Sequence, residues 1–158
     1  MRIEWSPERV IFSEIDEFIA DALRQIPICA SSCEDKAIAR LYPTPTDGAD
    51  EGADEDWREH VVPGLSELFQ THIDVVLKDL EEMREEDEAF TLTFTTEHAR
   101  AWMHTLNQAR LALGALHDIT EDHMEGRIIV SDAEKSYALF QIEIYGFILQ
   151  LMLQHTEL

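Results

Sequence analysis

Residues Thr95–Gly114 read TTEHARAWMHTLNQARLALG. At 100° per residue, Ala99, Trp102, Met103, Leu106, Ala109 and Leu113 fall on one stripe. This spacing predicts a long amphipathic helix, opened by Thr95 or Thr96 and running to about Ile119. Two polar residues share its apolar face: Arg110, roughly 40° from Leu106, and His117, about 20° from it. A guanidinium keeps its proton and is costly to bury alone, so Arg110 needs a partner. Glu143 is the sole charged residue between Lys135 and His155, and we expect it to pair with Arg110. Such a pair is read first as a buried ion pair that fixes helix register. The functional alternative makes Arg110 a ligand- or partner-binding residue, with Asn107, Trp102 and Glu143 beside it.

The helix that carries Glu143 comes last in the chain. Ser131 and Glu134 form a Ser-x-x-Glu capping box at its start. Leu139, Phe140, Ile142, Ile144, Tyr145, Phe147, Ile148, Leu149, Leu151, Met152 and Leu153 leave it apolar almost all round. A helix of that kind lies in the centre of a bundle or in a subunit interface, so a homodimer through it is an expected partner arrangement. Its apolar stretch, Ala138 to Leu153, contains Gln141, Glu143 and Gln150 and reads as too short to span a bilayer.

Upstream, Ile3 and Trp5, the Ser6-Pro7-Glu8 turn signal and Val10-Ile11-Phe12 predict a small hairpin. Ser13 is the expected N-cap of a helix carrying Ile15, Phe18, Ile19, Ala22, Leu23 and Ile26, which Pro27 ends. A short helix follows from Ser32 to Leu41, closed by Tyr42-Pro43. Residues 44–56 are acidic and rich in breakers, and are expected to form a flexible loop. Trp57 starts a helical turn and Pro63 fits the first turn of a longer helix. Leu65, Leu68, Phe69, Ile73, Val76, Leu77 and Leu80 mark that helix's buried face. Phe90, Leu92 and Phe94 alternate with threonines as a brief strand that could pair with the hairpin.

The expected fold is mainly α: one domain over 1–158, a helical bundle of four or five helices around the C-terminal one, with a small antiparallel β element near the N-terminus. A chain of 158 residues can bury roughly two-thirds of its unfolded surface. Its 33 Asp and Glu against 12 Lys and Arg give a net charge of -21. That surface repels phosphate backbones and anionic lipid, so neither nucleic acid nor membrane is an expected partner. Basic proteins are, with residues 47–56 and the Asp79–Glu88 helix end as the acidic working surfaces. The absence of an apolar leader after Met1 gives a cytoplasmic expectation, and Cys29 and Cys33 read as incidental thiols of a reducing compartment.

Signals for chemistry are missing. The seven histidines show neither His-x-x-x-His nor Glu-x-x-His spacing, and the cysteines lack a second pair, so no metal is expected. The glycines form no phosphate-binding motif, and no nucleophile motif is present. No catalytic residue and no cofactor is expected, and a non-enzymatic role leads. A protein binding a small anionic ligand at Arg110 comes second and an enzyme third.

Three runs carry a family resemblance: Ala101-Trp102, Leu106-Asn107 and Arg110-Leu111-Ala112-Leu113-Gly114. Together with Arg40-Leu41-Tyr42-Pro43 before an acidic stretch, they resemble the DUF2017 family, a bacterial domain of unknown function. Family members are often encoded beside the adaptor that delivers substrates to the Clp protease. The resemblance therefore implies an accessory, proteolysis-related protein, and supplies no catalytic residues.

Overall fold

The computed structural model describes residues 1–156. Two strands open the chain, β1 (Arg2–Trp5) and β2 (Arg9–Ile15), paired antiparallel through the turn in which Ser6 bonds to Arg9. The expected hairpin is present, and β2 runs further than expected. Val10 and Phe12 point into the core, and a bulge then inserts one residue before Ile15. Strand side chains alternate faces, so this extra residue returns Ile15 to the buried side. Glu14 absorbs the distortion with φ 53. Ser13 thus lies in a strand, and Asp16 caps helix α1 (Glu17–Arg24), accepting from the Ile19 amide at 2.8 Å.

Pro27 does not end a helix; it lies in the first turn of α2 (Ile26–Ala30), where its missing N–H costs nothing. Next come α3 (Asp35–Leu41), α4 (Glu51–His60) and α5 (Val62–Glu81), the last with Pro63 in its first turn. Helix α4 takes up residues 51–56 of the expected acidic loop, because Asp50 caps it by accepting from the Ala53 amide. Of the face predicted for α5, Ile73, Val76 and Leu80 are buried while Leu68 and Leu77 are exposed.

A second hairpin joins β3 (Arg84–Glu86) to β4 (Ala89–Thr95). Its two turn residues, Asp87 (φ 52) and Glu88 (φ 65), are both left-handed, the twist that matches a two-residue hairpin. The brief expected strand is therefore part of a four-stranded antiparallel sheet ordered β1-β2-β4-β3, larger than the element foreseen. A single 3₁₀ turn (Thr96–His98) leads into α6 (Ala99–Leu116), and the Thr96 hydroxyl donates to the Pro7 carbonyl rather than capping the helix.

Helix α6 is the hub, packed by α2, α3, α5 and α8 (Ala133–Thr156). Its buried residues include Ala99, Ala101, Ala109 and Ala112, small side chains that let neighbours approach on several sides. The C-terminal helix α8, expected at the centre, packs on α6 with one face: Ala138, Gln141, Ile142, Tyr145, Ile148 and Met152. Buried Tyr145 donates to the Ala22 carbonyl and ties α8 to α1. Asp132, not Ser131, accepts from the Lys135 amide at the start of α8. Because α8 extends beyond Ala138–Leu153, it is long and apolar enough to cross a membrane by length and composition alone, with one-third of its apolar window buried. Between α6 and α8 lies α7 (Glu121–Met124), capped reciprocally by Thr120 and His123. The chain is mainly helical, with more helices than four or five.

Candidate interaction site

The four expected site residues do not converge. Trp102 is fully buried, with its ring stacked on Phe94 and edge-on to Phe12. Asn107 and Glu143 face solvent. Arg110 forms no ion pair among the described residues, so the expected pairing with Glu143 is not made within the chain. Its guanidinium instead lies on α8 at Gly146, where an added Cβ would come 3.2 Å from Nε and 3.3 Å from Cζ. The missing side chain of Gly146 is what makes room for it. The Arg110 Nε is buried there without a hydrogen-bond partner.

A polar cluster that the sequence reading missed lies at the other end of α6. Asp79 of α5 is buried, and its carboxylate accepts from Trp102 Nε1 at 2.8 Å. His98 Nδ1 sits 2.9 and 3.0 Å from the two Asp79 oxygens. An ionised carboxylate can only accept, so Nδ1 carries the hydrogen. Asp79 therefore does not belong to the acidic helix end expected to act as a surface. Its position three residues after Val76, at the margin of the buried face, was the available signal, but six further acids up to Glu88 masked it.

Near by, the rings of His72 (α5) and His104 (α6) stack at 4.9 Å with 12° between their planes. Burial, then the charges of His104 and Arg100, lower the His72 pKa below its ordinary value. Stacked rings direct their nitrogens sideways rather than toward a shared ion. Among the described residues no three His, Cys, Asp or Glu side chains gather as metal ligands. Cys29 and Cys33 are not bonded to one another, and burial pushes the Cys29 thiol up to about 11, which keeps it protonated and unreactive at neutral pH.

The acidic stretch before α4 has internal order. Asp54 is fully buried and accepts from the Thr46 amide (3.0 Å), the Thr46 hydroxyl (2.8 Å) and the Gly48 amide (2.8 Å). Burial raises its pKa, but these bonds outweigh that effect and hold it below the usual carboxylate range. Asp54 is thus a structural clasp, withdrawn from the acidic surface on which it was expected. Gly48, with φ 86, adopts a backbone conformation that favours glycine and turns its amide toward that clasp.

This clasp shapes one side of an open cleft of about 700 Å³. Ile38, Ala39, Tyr42, Pro43 and Val62 form its apolar wall, and Asp35, Asp47 and Arg58 its charged border. A smaller recess of about 180 Å³ shares Ile38 and Tyr42 and continues toward Phe69 and Ile73. Tyr42 is held between the two by stacking on Phe69 at 5.5 Å. Helix α3 is itself anchored by Lys36, whose Nζ lies 2.9 Å from Asp118. No catalytic constellation lines this cleft. Its chemistry suits an inserted apolar side chain flanked by positive charge.

A model for a domain of unknown function, DUF2017, matches residues 13–154, nearly the whole chain. No curated protein and no solved structure gives a significant match.

Proposed function

Because the chain belongs to DUF2017, a family defined without an activity, we propose from its surfaces that it is a non-enzymatic interaction protein. It acts in the cytoplasm as an accessory factor in Clp-dependent protein turnover. The observation that carries the interaction reading is the cleft beside α3. An apolar wall around Ile38 and Tyr42, bordered by Asp35 and Asp47 with Arg58 as the one cation, on a chain of net charge -21, matches a basic partner segment with an apolar anchor. The link to Clp rests on the family's neighbourhood and makes the substrate-delivering adaptor the first partner to test.

Purified full-length chain titrated with that adaptor should bind, and binding should weaken as salt rises. Ile38→Asp should abolish it, since Ile38 is 42% exposed and its loss leaves the core intact. No binding to the adaptor, together with a lysate capture that recovers no protein partner, would reject this function. A second reading has one observation in favour: the buried, unpartnered Nε of Arg110 suits a small anionic ligand. Retention of such a ligand by Arg110→Leu would eliminate it.

A further inference from the structure

The outward half of α8 is largely apolar. Opposite the row that packs on α6, the helix presents Leu139, Phe140, Glu143, Phe147, Gln150 and Leu151. Phe147 is 48% exposed and Leu153 45%. Phe18, 58% exposed, extends the apolar surface from α1 by packing on Phe140 at 4.6 Å. Surface helices of a monomer normally turn a polar face outward. This one carries a single charge there, Glu143, which has no ion-pair partner among the described residues. Beside it, at the level of Gly146, lies Arg110 with its Nε buried and unbonded. The flank of α8 at Gly146 therefore carries an unpaired guanidinium beside the outward face, less than a helical turn along the axis from the free carboxylate of Glu143.

We propose that a second copy of this chain covers this face through antiparallel α8–α8 packing, with Arg110 of each copy paired to Glu143 of the other. A two-fold interface is self-complementary: if one residue meets another, the reciprocal contact also forms. One positive and one negative group so placed yield two ion pairs. Antiparallel packing about an axis near the level of Glu143–Gly146 brings these opposite charges together, whereas parallel packing would set Arg110 against Arg110. At about 1.5 Å per residue, 24 residues of α8 give a seam of roughly 36 Å. Phe18 and the Arg110 flank widen that seam beyond a single helix face. The charge pairs set register, and Phe140, Phe147 and Leu151 supply the apolar contact.

The test is sedimentation equilibrium of the full chain from low micromolar to submillimolar concentration. A dimer is expected, converted to monomer by Phe147→Asp with an unchanged circular-dichroism spectrum. Glu143→Arg should raise the dimer Kd by roughly 100-fold, because two desolvated pairs are lost per dimer. Glu143→Arg combined with Arg110→Glu should restore it. A monomer throughout the range, or a dimer indifferent to Phe147→Asp, overturns the proposal. So does a dimer whose Kd is unmoved by Glu143→Arg, or a monomer that binds zwitterionic vesicles through Phe147, which would make lipid the occupant. None of these results depends on the α3 cleft.

Discussion

The guanidinium of Arg110 lies against Gly146, close enough that a Cβ on Gly146 would stand 3.2 Å from its Nε. Alanine at a helical glycine normally stabilises by about 0.5–1 kcal/mol. Here the gain is opposed by the need to move Arg110. Gly146→Ala should therefore change stability by less than about 0.5 kcal/mol in the wild-type background and stabilise by the full increment of about 1 kcal/mol in Arg110→Ala. Chemical denaturation of the four chains measures the coupling. Equal effects in both backgrounds would refute a steric relation between the two residues.

Asp79 holds Trp102 and His98 together at the junction of α5, the 3₁₀ turn and α6. Asp79→Ala leaves the buried indole N–H without an acceptor and should destabilise by about 2–3 kcal/mol. Asp79→Asn retains an acceptor for Trp102 and should lose less. A urea titration that ranks the two substitutions the other way would contradict this assignment.

Asp54 titrates below the ordinary carboxylate range in the folded chain. A depressed acid pKa gives stability that is present above the unfolded value, about 3.9, and lost as pH falls through the folded value. Asp54→Asn replaces an acceptor facing the Thr46 and Gly48 amides with a donor, so it should lower the Tm at neutral pH. The gap from wild type should close below about pH 4. A gap constant from neutral to acid pH would mean that the charge of Asp54 is not what holds the turn.

His72 is kept neutral by burial and by His104 and Arg100, so the unfolded chain takes up its proton more readily. Its contribution to stability is complete above the ordinary histidine value, about 6.5, and declines as pH falls from there toward the lower folded pKa. Wild type should lose Tm between about pH 7 and about pH 5. His72→Gln should lose less over that interval, as differential scanning calorimetry at each pH can establish.

The sequence by itself determined the periodic elements: the N-terminal hairpin, the stripe of α6, the Pro63 start of α5 and the alternation of Phe90, Leu92 and Phe94. Each is set by side chains a few residues apart, which is the range over which helix and strand periodicity is written. The family was legible for the same reason, in the Trp102–Gly114 run. Caps were displaced where a tertiary bond competed, as Ser13 entered a strand and Thr96 turned to Pro7, and at α8 by a neighbour, as Asp132 took the Lys135 amide in place of Ser131. Partner choice was decided only by the tertiary structure. Asp54 and Asp79 look like any other acid in a chain with 33 of them, and only packing draws their carboxylates out of water. Arg110 and Glu143 were expected to pair with one another, and within the chain they do not. Their separation follows from the placement of α8 on α6, which puts Gly146 under the guanidinium and turns Glu143 to solvent. A side chain's need for a partner is local chemistry, whereas the identity of that partner is geometry set by the whole fold.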